Sequence, residues 1–125
     1  MLPKTRKWLE DVRASCGFIL DTVTGKTLSD YQTGLQMRYS VERNFEIIGE
    51  AVGRIARFDP DTAARIADCR RIISFRNVLV HGYDLVDHET VWEVIHGHLP
   101  LLKKQVEELL KEAEKEFPPA DGGTP

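Results

Sequence analysis

The fold of this chain is decided by residues 41–58, which read VERNFEIIGEAVGRIARF. Their apolar side chains recur at steps of four and three, the spacing that places side chains on one face of an α-helix. This apolar stripe comprises Val41, Phe45, Ile48, Val52 and Ile55. A second, narrower apolar edge comprises Ile47, Ala51 and Phe58. We therefore predict one long helix, capped by Ser29 or Asp30 and ending at Phe58, that contacts both a bundle core and a partner chain.

Two glycines, Gly49 and Gly53, lie in the middle of this predicted helix. Each costs roughly 0.5–1 kcal/mol relative to alanine, because glycine loses the most conformational freedom on folding. We expect another helix to approach closely at these positions, where a larger residue would not fit. The alternative interpretation is that the helix merely tolerates both glycines.

Helical spacing continues through the rest of the chain, and no segment alternates in the pattern of a strand. We predict further helices over about residues 3–20, 60–81 and 88–116. Gly82 is expected to end the third of the four helices, and Pro100 to bend the fourth. Four helices with short connections predict an all-α fold, an up-down four-helix bundle. The predicted domain covers residues 1–117, and the Pro- and Gly-rich tail of residues 118–125 is predicted to be disordered.

The length and composition indicate one soluble domain of 125 residues and 14.2 kDa, with 42% hydrophobic and 30% charged residues. Its apolar runs are shorter than the ~20 residues of a membrane span, and no signal segment is recognisable, so we expect a cytoplasmic protein. Cys16 and Cys69 lack the spacing of a zinc site or a disulfide framework, and we predict that both are core residues.

The charge of the chain is unevenly distributed. A net charge of −3 provides no general attraction to nucleic acid. Residues 65–76 nevertheless contain four arginines and a single acid, Asp68. The four are Arg65, Arg70, Arg71 and Arg76. This basic patch either binds phosphate groups or is simply a solvated helix face.

Polar residues cluster at the end of the predicted third helix, where residues 74–83 read SFRNVLVHGY. Five residues separate Arg76 from His81, so on a helix they lie ~140° apart in angle and ~7.5 Å apart along the axis. Asn77 and His81 do share a face, at positions i and i+4. The two side chains can therefore contact one ligand in either of two ways. The long side chain of Arg76 extends to it, or two copies of the chain face each other across a two-fold axis.

These residue types suit the cleavage of RNA. An arginine fork binds a phosphodiester and the charge that builds on its oxygens, and a histidine takes or delivers a proton near neutral pH. Two histidines, one from each copy, could divide the roles of base and acid. No cofactor or metal is predicted, because His88, His96 and His98 lack ligand spacing. The alternative is an ordinary helix end at which the dipole stabilises a histidine.

Two segments carry a resemblance to a known family. The first reads RYSVERNFEIIGEA at residues 38–51. The second combines Phe75-Arg76-Asn77 with His81-Gly82-Tyr83 and, further on, Val91-Trp92. With these motifs the chain resembles the HepT-like branch of the HEPN superfamily over about residues 5–113. Members are small helical ribonuclease toxins of type VII toxin–antitoxin systems, usually paired with a minimal nucleotidyltransferase antitoxin.

The resemblance implies a homodimer whose two copies form a shared cleft, and a metal-independent endoribonuclease activity on RNA such as tRNA or mRNA. It assigns catalytic roles to Arg76 and His81 and a supporting role to Asn77. It also implies that the antitoxin transfers AMP from ATP to Tyr83, which silences the toxin. The chain departs from the family where a Pro-Trp pair often precedes the arginine motif, since residues 64–67 read ARIA here.

Two further residues, Glu50 and Arg71, are candidates for the cleft. Glu50 either forms a surface ion pair with Arg54, four residues on, or lines the cleft and orients an arginine. Two other functions stay open at this point: a non-catalytic HEPN module that binds nucleotide or RNA or docks a nucleotidyltransferase, and a purely structural helical dimer. The intact set of Arg76, His81 and Tyr83 favours the enzyme.

Overall fold

The computed structural model describes residues 1–82 and 86–116, which form seven helices and no strand. They are α1 (Pro3–Val23), α2 (Leu28–Thr33), α3 (Leu35–Phe58), α4 (Pro60–Ala63), α5 (Cys69–His81), α6 (His88–Gly97) and α7 (Leu99–Glu116). Helix α3 packs against both α1 and α5, and α1 also packs against α7. The prediction of an all-α bundle is confirmed. Tyr83 and the predicted tail, residues 118–125, lie outside the described residues.

The apolar stripe of α3 forms the centre of the core. Its five members, residues 41, 45, 48, 52 and 55, are all at most 5% exposed. They pack with buried side chains of α1 and α7, among them Leu9, Val12, Ile19, Leu102 and Val106. No helix in the two described ranges is both long enough and apolar enough to span a bilayer.

The second predicted helix is wrong as a single element, because the chain breaks at Gly34 between α2 and α3. The cap of α2 is Thr27 rather than Ser29 or Asp30. The Thr27 hydroxyl accepts from the Asp30 N–H (3.1 Å), and the Asp30 carboxylate accepts from the Thr27 N–H (2.9 Å). A Cβ at Gly34 would lie 2.8 Å from the Asp30 carbonyl oxygen, so this break requires glycine.

The third predicted helix is also divided, into α4 and α5, by residues 64–68. Within this segment the Ala67 N–H donates to the side-chain oxygen of Gln105 on α7 (3.1 Å) rather than to a carbonyl of its own helix. Ile66 is buried, and Asp68 adopts the left-handed conformation, with φ 61°. Aspartate tolerates this conformation better than most residues. Contacts with α7 therefore replace one turn of helix.

The remaining helices differ less from the prediction. Helix α1 continues to Val23, three residues beyond the predicted end. The sequence predicts that Pro100 bends a single fourth helix. The structure instead has two helices, α6 and α7, with a break at His98 next to this position. Proline has no N–H to donate and its ring clashes with the preceding turn, so Pro100 is accommodated in the first turn of α7. Helix α5 ends at His81 with Gly82 as its cap, at a negative φ of −123°.

Asp59, the cap of α4, is a buried carboxylate that connects the start of α1 to the end of α3. It accepts hydrogen bonds from the Thr5 hydroxyl (2.8 Å), the Leu2 N–H (3.1 Å) and the Thr62 N–H (3.4 Å). Burial alone raises the pKa of Asp59, but these hydrogen bonds outweigh it and hold the pKa below its ordinary value of 3.8. The fold therefore stabilises the ionised carboxylate.

We expect Asp59→Asn to lower the free energy of unfolding at neutral pH by about 2 kcal/mol, since hydrogen bonds to charged groups contribute about 1.5–3 kcal/mol. Because the folded pKa is depressed, this stabilisation is present above the unfolded pKa and is lost as pH falls through the folded value. Urea unfolding of wild type and variant at about pH 7 and about pH 2 measures the effect. If wild type and Asp59→Asn differed in free energy of unfolding by the same amount at both pH values, the stabilising role of the Asp59 charge would be contradicted.

Candidate functional site

Helix α5 has a buried side against α3 and a polar side that faces solvent. On the buried side, Leu79 is 5% exposed and the Phe75 ring meets the Phe45 ring edge-on at 5.1 Å between centroids. The exposed side chains recur at helical spacing and comprise Arg70, Arg71, Ser74, Asn77, Val78 and His81. Two predicted site residues, Asn77 and His81, therefore share this exposed face.

Arg76 lies instead at the contact between α5 and α3, directly over Gly49. A Cβ placed at Gly49 would lie 2.1 Å from the Cβ and 2.5 Å from the Cγ of Arg76. No atom of residues 1–82 and 86–116 lies within 4 Å of a Cβ placed at Gly53. The predicted close approach of a second helix is confirmed at Gly49 and wrong at Gly53. Gly49 thus sets how closely the Arg76 backbone approaches α3.

A cleft of about 310 Å³ runs between α3 and α5, and we call it the α3–α5 cleft. Its lining comprises Gly49, Glu50, Gly53, Arg54, Arg57, Phe58, Ile73, Arg76 and Asn77. One guanidinium nitrogen of Arg76 donates to the Asn77 side-chain oxygen (3.3 Å). The Arg76 Nε is buried and has no hydrogen-bond partner among the described residues. Arg76 and Asn77 therefore present their polar atoms at one wall of this cleft.

The surface ion pair expected for Glu50 is present in the structure, whereas its place in a cleft shared by two copies stays a prediction. Its carboxylate pairs with the Arg54 guanidinium at 2.9 Å, with both side chains about half exposed. Glu50 also lines the α3–α5 cleft together with Arg76 and Asn77. Such an exposed pair contributes little stability. Its effect here is to hold the Arg54 guanidinium over the cleft.

The other predicted site residues lie elsewhere. His81 is the exposed last residue of α5 and is not part of the cleft lining, so within one chain Arg76 and His81 belong to different faces. Arg71 is 77% exposed and lies 3.8 Å from the Asp68 carboxylate. It lines a different groove, of about 480 Å³, between α5 and the junction of α6 and α7. Tyr83 is not among the described residues.

The basic patch of residues 65–76 is partly neutralised. Arg65 pairs with Glu112 of α7 at 2.6 Å, and Arg71 faces Asp68. Arg76 forms no ion pair with any carboxylate in residues 1–82 and 86–116. The patch is thus divided between two surfaces, and among the described residues neither Arg70 nor Arg76 pairs with a carboxylate.

Two cleft residues, Arg57 and Phe58, were not identified from the sequence as site residues. The signal that finds them is a repeat of residue pairs every four positions along α3, in which each pair is rotated by about 40° from the pair before it. The three pairs are Gly49-Glu50, Gly53-Arg54 and Arg57-Phe58. In the described part of the chain, no three His, Cys, Asp or Glu side chains come together as metal ligands.

The cysteines and one buried tyrosine carry no part of this site. Cys16 is fully buried, and burial raises the pKa of its thiol to about 12. Cys69 is half-buried, and burial also raises its pKa. Tyr31 is fully buried between α2 and α6, with its ring 5.6 Å from that of Trp92. The core position predicted for Cys16 is confirmed, whereas Cys69 lies only at the edge of the core.

The fold and the polar helix α5 together define a class: an all-helical, HEPN-like bundle that carries an arginine and a histidine five residues apart. The family model described as ribonuclease HepT-like matches residues 12–109, which is most of the chain. The chain therefore belongs to the HepT-like ribonuclease family. The resemblance seen in the sequence motifs is confirmed, and with it the prediction of an endoribonuclease.

Relatives in bacteria and archaea agree with this assignment. A candidate RNase of Caldanaerobacter subterraneus subsp. tengcongensis is 30% identical over 106 residues, covering 85% of this chain and 94% of the relative. A candidate RNase of Methanocaldococcus jannaschii is 27% identical, covering 88% and 94% of the two chains. A candidate ribonuclease HepT of Thermococcus cleftensis is 28% identical, covering 85% and 96%. No solved structure matches the chain significantly.

Proposed function

We propose that the chain is the toxin of a toxin–antitoxin pair, a metal-independent endoribonuclease that cuts RNA at a site built from Arg76 and His81 of two copies. The observation that carries this proposal is the position of Arg76. Its guanidinium lies at the α3–α5 cleft without a carboxylate partner among the described residues, close to a helix end that bears the exposed His81. An arginine without a carboxylate partner in the described part of the chain, combined with the imidazole of a second copy, suits a phosphodiester substrate.

The reaction is an internal transphosphorylation. The 2′-oxygen of the substrate attacks the adjacent phosphorus, and the bond from phosphorus to the 5′-oxygen breaks. One His81 accepts the proton of the 2′-hydroxyl, and a second His81 donates a proton to the departing 5′-oxygen. Arg76 binds the phosphate oxygens, on which negative charge increases in the transition state. The products carry a 2′,3′-cyclic phosphate and a free 5′-hydroxyl.

The placement of these groups supports the proposal of a homodimer. Arg76 packs against α3, whereas His81 belongs to the exposed face of α5, so one copy alone does not present both groups on one surface. A two-fold axis near the exposed face of α5 supplies a second histidine. Val78, an apolar side chain 47% exposed in the middle of this face, is suited to the contact between the copies.

Purified protein incubated with total RNA or tRNA tests the proposed activity directly. We expect cleavage that continues in excess EDTA and leaves 2′,3′-cyclic phosphate ends, which block ligation until a phosphatase removes them. Expression of the chain alone should arrest growth, and expression of His81→Ala should not. If wild type and variant are equally harmless and neither cuts RNA, the enzyme proposal fails and a non-catalytic binding module is the better interpretation.

The proposed regulation places AMP groups on Tyr83. A nucleotidyltransferase antitoxin transfers AMP from ATP to the tyrosine hydroxyl and releases pyrophosphate. The added anionic groups then repel and occlude RNA next to the site.

We expect mass increments of ~329 Da on the Tyr83 peptide after co-expression with such an antitoxin. We further expect Tyr83→Phe to remain toxic in its presence, because phenylalanine has no hydroxyl to modify. Growth of the co-expressing strain and mass spectrometry of the recovered toxin measure both effects. Neutralisation of Tyr83→Phe as complete as that of wild type would show that the partner acts by binding alone.

A further inference from the structure

The far end of the α3–α5 cleft holds an arginine that the proposed reaction does not use. Arg57 lies eight residues after Gly49 on α3, about 80° further around the helix axis, and lines the same cleft. It forms no ion pair with any carboxylate in the two described ranges, and its guanidinium carbon lies 5.1 Å from the centre of the Phe58 ring. Among the described residues, the cleft lining contains three arginines and one glutamate, which leaves a net positive charge of two. This charge suits an anionic ligand that extends beyond Arg76.

Phe58 supplies an aromatic surface next to this charge. Its side chain is 52% exposed although Phe58 is the last residue of α3, a helix whose apolar stripe is buried. The Trp8 ring supports it, with 5.9 Å between ring centroids and a 31° tilt. An exposed aromatic ring beside an arginine-lined groove is the arrangement with which proteins bind single-stranded nucleic acid, because bases stack on the ring while cations bind phosphates.

The part of α3 that lines the α3–α5 cleft between Gly49 and Phe58 carries no side chain that fills the cleft at Gly53. Gly53 lies between Gly49 and Phe58 on α3, and a Cβ placed there would have no atom of the described part of the chain within 4 Å. From Gly49 to Phe58 the helix advances ~13.5 Å along its axis and turns by about 180° around it. Stacked nucleotides advance about 3.4 Å each, so this distance accommodates more than one nucleotide. A strand whose phosphate lies at Arg76 therefore reaches Phe58 by crossing α3 obliquely along the cleft.

We propose that the α3–α5 cleft is a subsite for the nucleotide next to the cut, in which Arg57 binds a flanking phosphate and Phe58 stacks on its base. Arg54 assists, although its ion pair with Glu50 offsets part of its charge. The assignment rests on the proposed function, since it takes the ligand to be single-stranded RNA. It makes Arg57 and Phe58 binding residues that set affinity and base preference, with no part in the proton transfers.

The test measures binding separately from cleavage. The probe is a fluorescein-labelled single-stranded RNA of about 12 nucleotides, 2′-O-methylated throughout so that no 2′-hydroxyl can attack. Fluorescence anisotropy at about 50 mM salt gives its Kd. We expect Arg57→Gln and Phe58→Leu each to weaken binding about tenfold; the leucine keeps an apolar contact with Trp8 but cannot stack. Gly53→Gln, whose side chain fills the cleft at this position, should weaken binding without altering either residue.

Matched controls come from α1, where Phe18 is 48% exposed and Arg13 is exposed. Phe18→Leu and Arg13→Gln should bind the probe as wild type does. Circular dichroism melting of every variant establishes that it is folded at the assay temperature. The subsite is overturned if the three cleft variants bind within twofold of wild type, if the controls weaken binding equally, or if wild type does not bind the probe.

Cleavage of unmodified RNA separates this inference from the proposed function. If wild type cuts RNA and the cleft variants raise KM while retaining kcat, both proposals are supported. If wild type cuts RNA and the variants match it in binding and in KM, the function stands and the subsite fails. If the cleft variants lose probe binding but wild type cuts no RNA, the cleft is an RNA-binding surface and the enzyme proposal fails.

Discussion

His81→Ala should lower the rate of RNA cleavage by about 10²–10⁴-fold, which is what a positioned general acid or base contributes. The imidazole is the exposed last side chain of α5, so its removal leaves the core intact. We expect the free energy of unfolding to stay within about 0.5 kcal/mol of wild type. Single-turnover cleavage of a labelled RNA, together with urea unfolding, measures the two quantities.

The matched control for this prediction is His96→Ala. His96 is also an exposed histidine near a helix C-terminus, with its ring 2.9 Å from the Trp92 carbonyl oxygen, but it lies on α6. Its replacement should leave cleavage unchanged. Activity retained in His81→Ala, or lost equally in His96→Ala, would remove His81 from the proposed mechanism.

Arg76→Lys extends the same argument to the arginine. Lysine keeps the positive charge but lacks the planar fork that binds two phosphate oxygens together. We expect a large loss of cleavage despite the conserved charge, with kcat affected more than KM because the developing transition-state charge is what the fork stabilises. Wild-type kcat in Arg76→Lys would mean that only a point charge is needed at this position.

The sequence predicts the central helix well because its information is local and redundant. Every member of the stripe from Val41 to Ile55 is buried in the structure, at steps that one helix face requires. The same periodicity cannot reveal the breaks between α2 and α3 or between α4 and α5. Residues on both sides of Gly34 and of Asp68 continue the helical pattern. The break before α5 depends on Gln105, which lies 38 residues away in the chain.

The candidate site, like the fold, is predicted from the sequence only in part. Residue types and the helical period are enough to select Arg76, Asn77 and His81 and to expect that the arginine and the histidine point in different directions. They do not show which direction faces α3, because that depends on how two helices pack. Phe58 illustrates the limit: the sequence assigns it to an apolar edge, whereas the structure places it half exposed at the mouth of an arginine-lined cleft.

Gly49→Ala and Gly53→Ala should change stability in opposite directions, although the two glycines occupy one face of one helix. At Gly49 the new methyl group would overlap the Cβ and Cγ of Arg76, atoms too close to the backbone to move without displacing α5. Such overpacking costs about 1–3 kcal/mol. At Gly53 the methyl group meets open space, so removing a helix-interior glycine should stabilise the protein by about 0.5–1 kcal/mol. Urea or thermal unfolding of the two variants beside wild type measures the difference.

The activity of the Gly49→Ala variant then tests whether Gly49 positions Arg76. At a temperature where circular dichroism finds the variant fully folded, we expect cleavage to fall at least tenfold, mainly through kcat, because a displacement of about 1 Å at a catalytic group can cost up to 10²-fold. Gly53→Ala, which leaves Arg76 untouched, should retain kcat. If the Gly49→Ala variant were destabilised but fully active when folded, Gly49 would be needed only for the packing of α5 on α3. If both glycine variants gained stability, the close contact between Gly49 and Arg76 would itself be wrong.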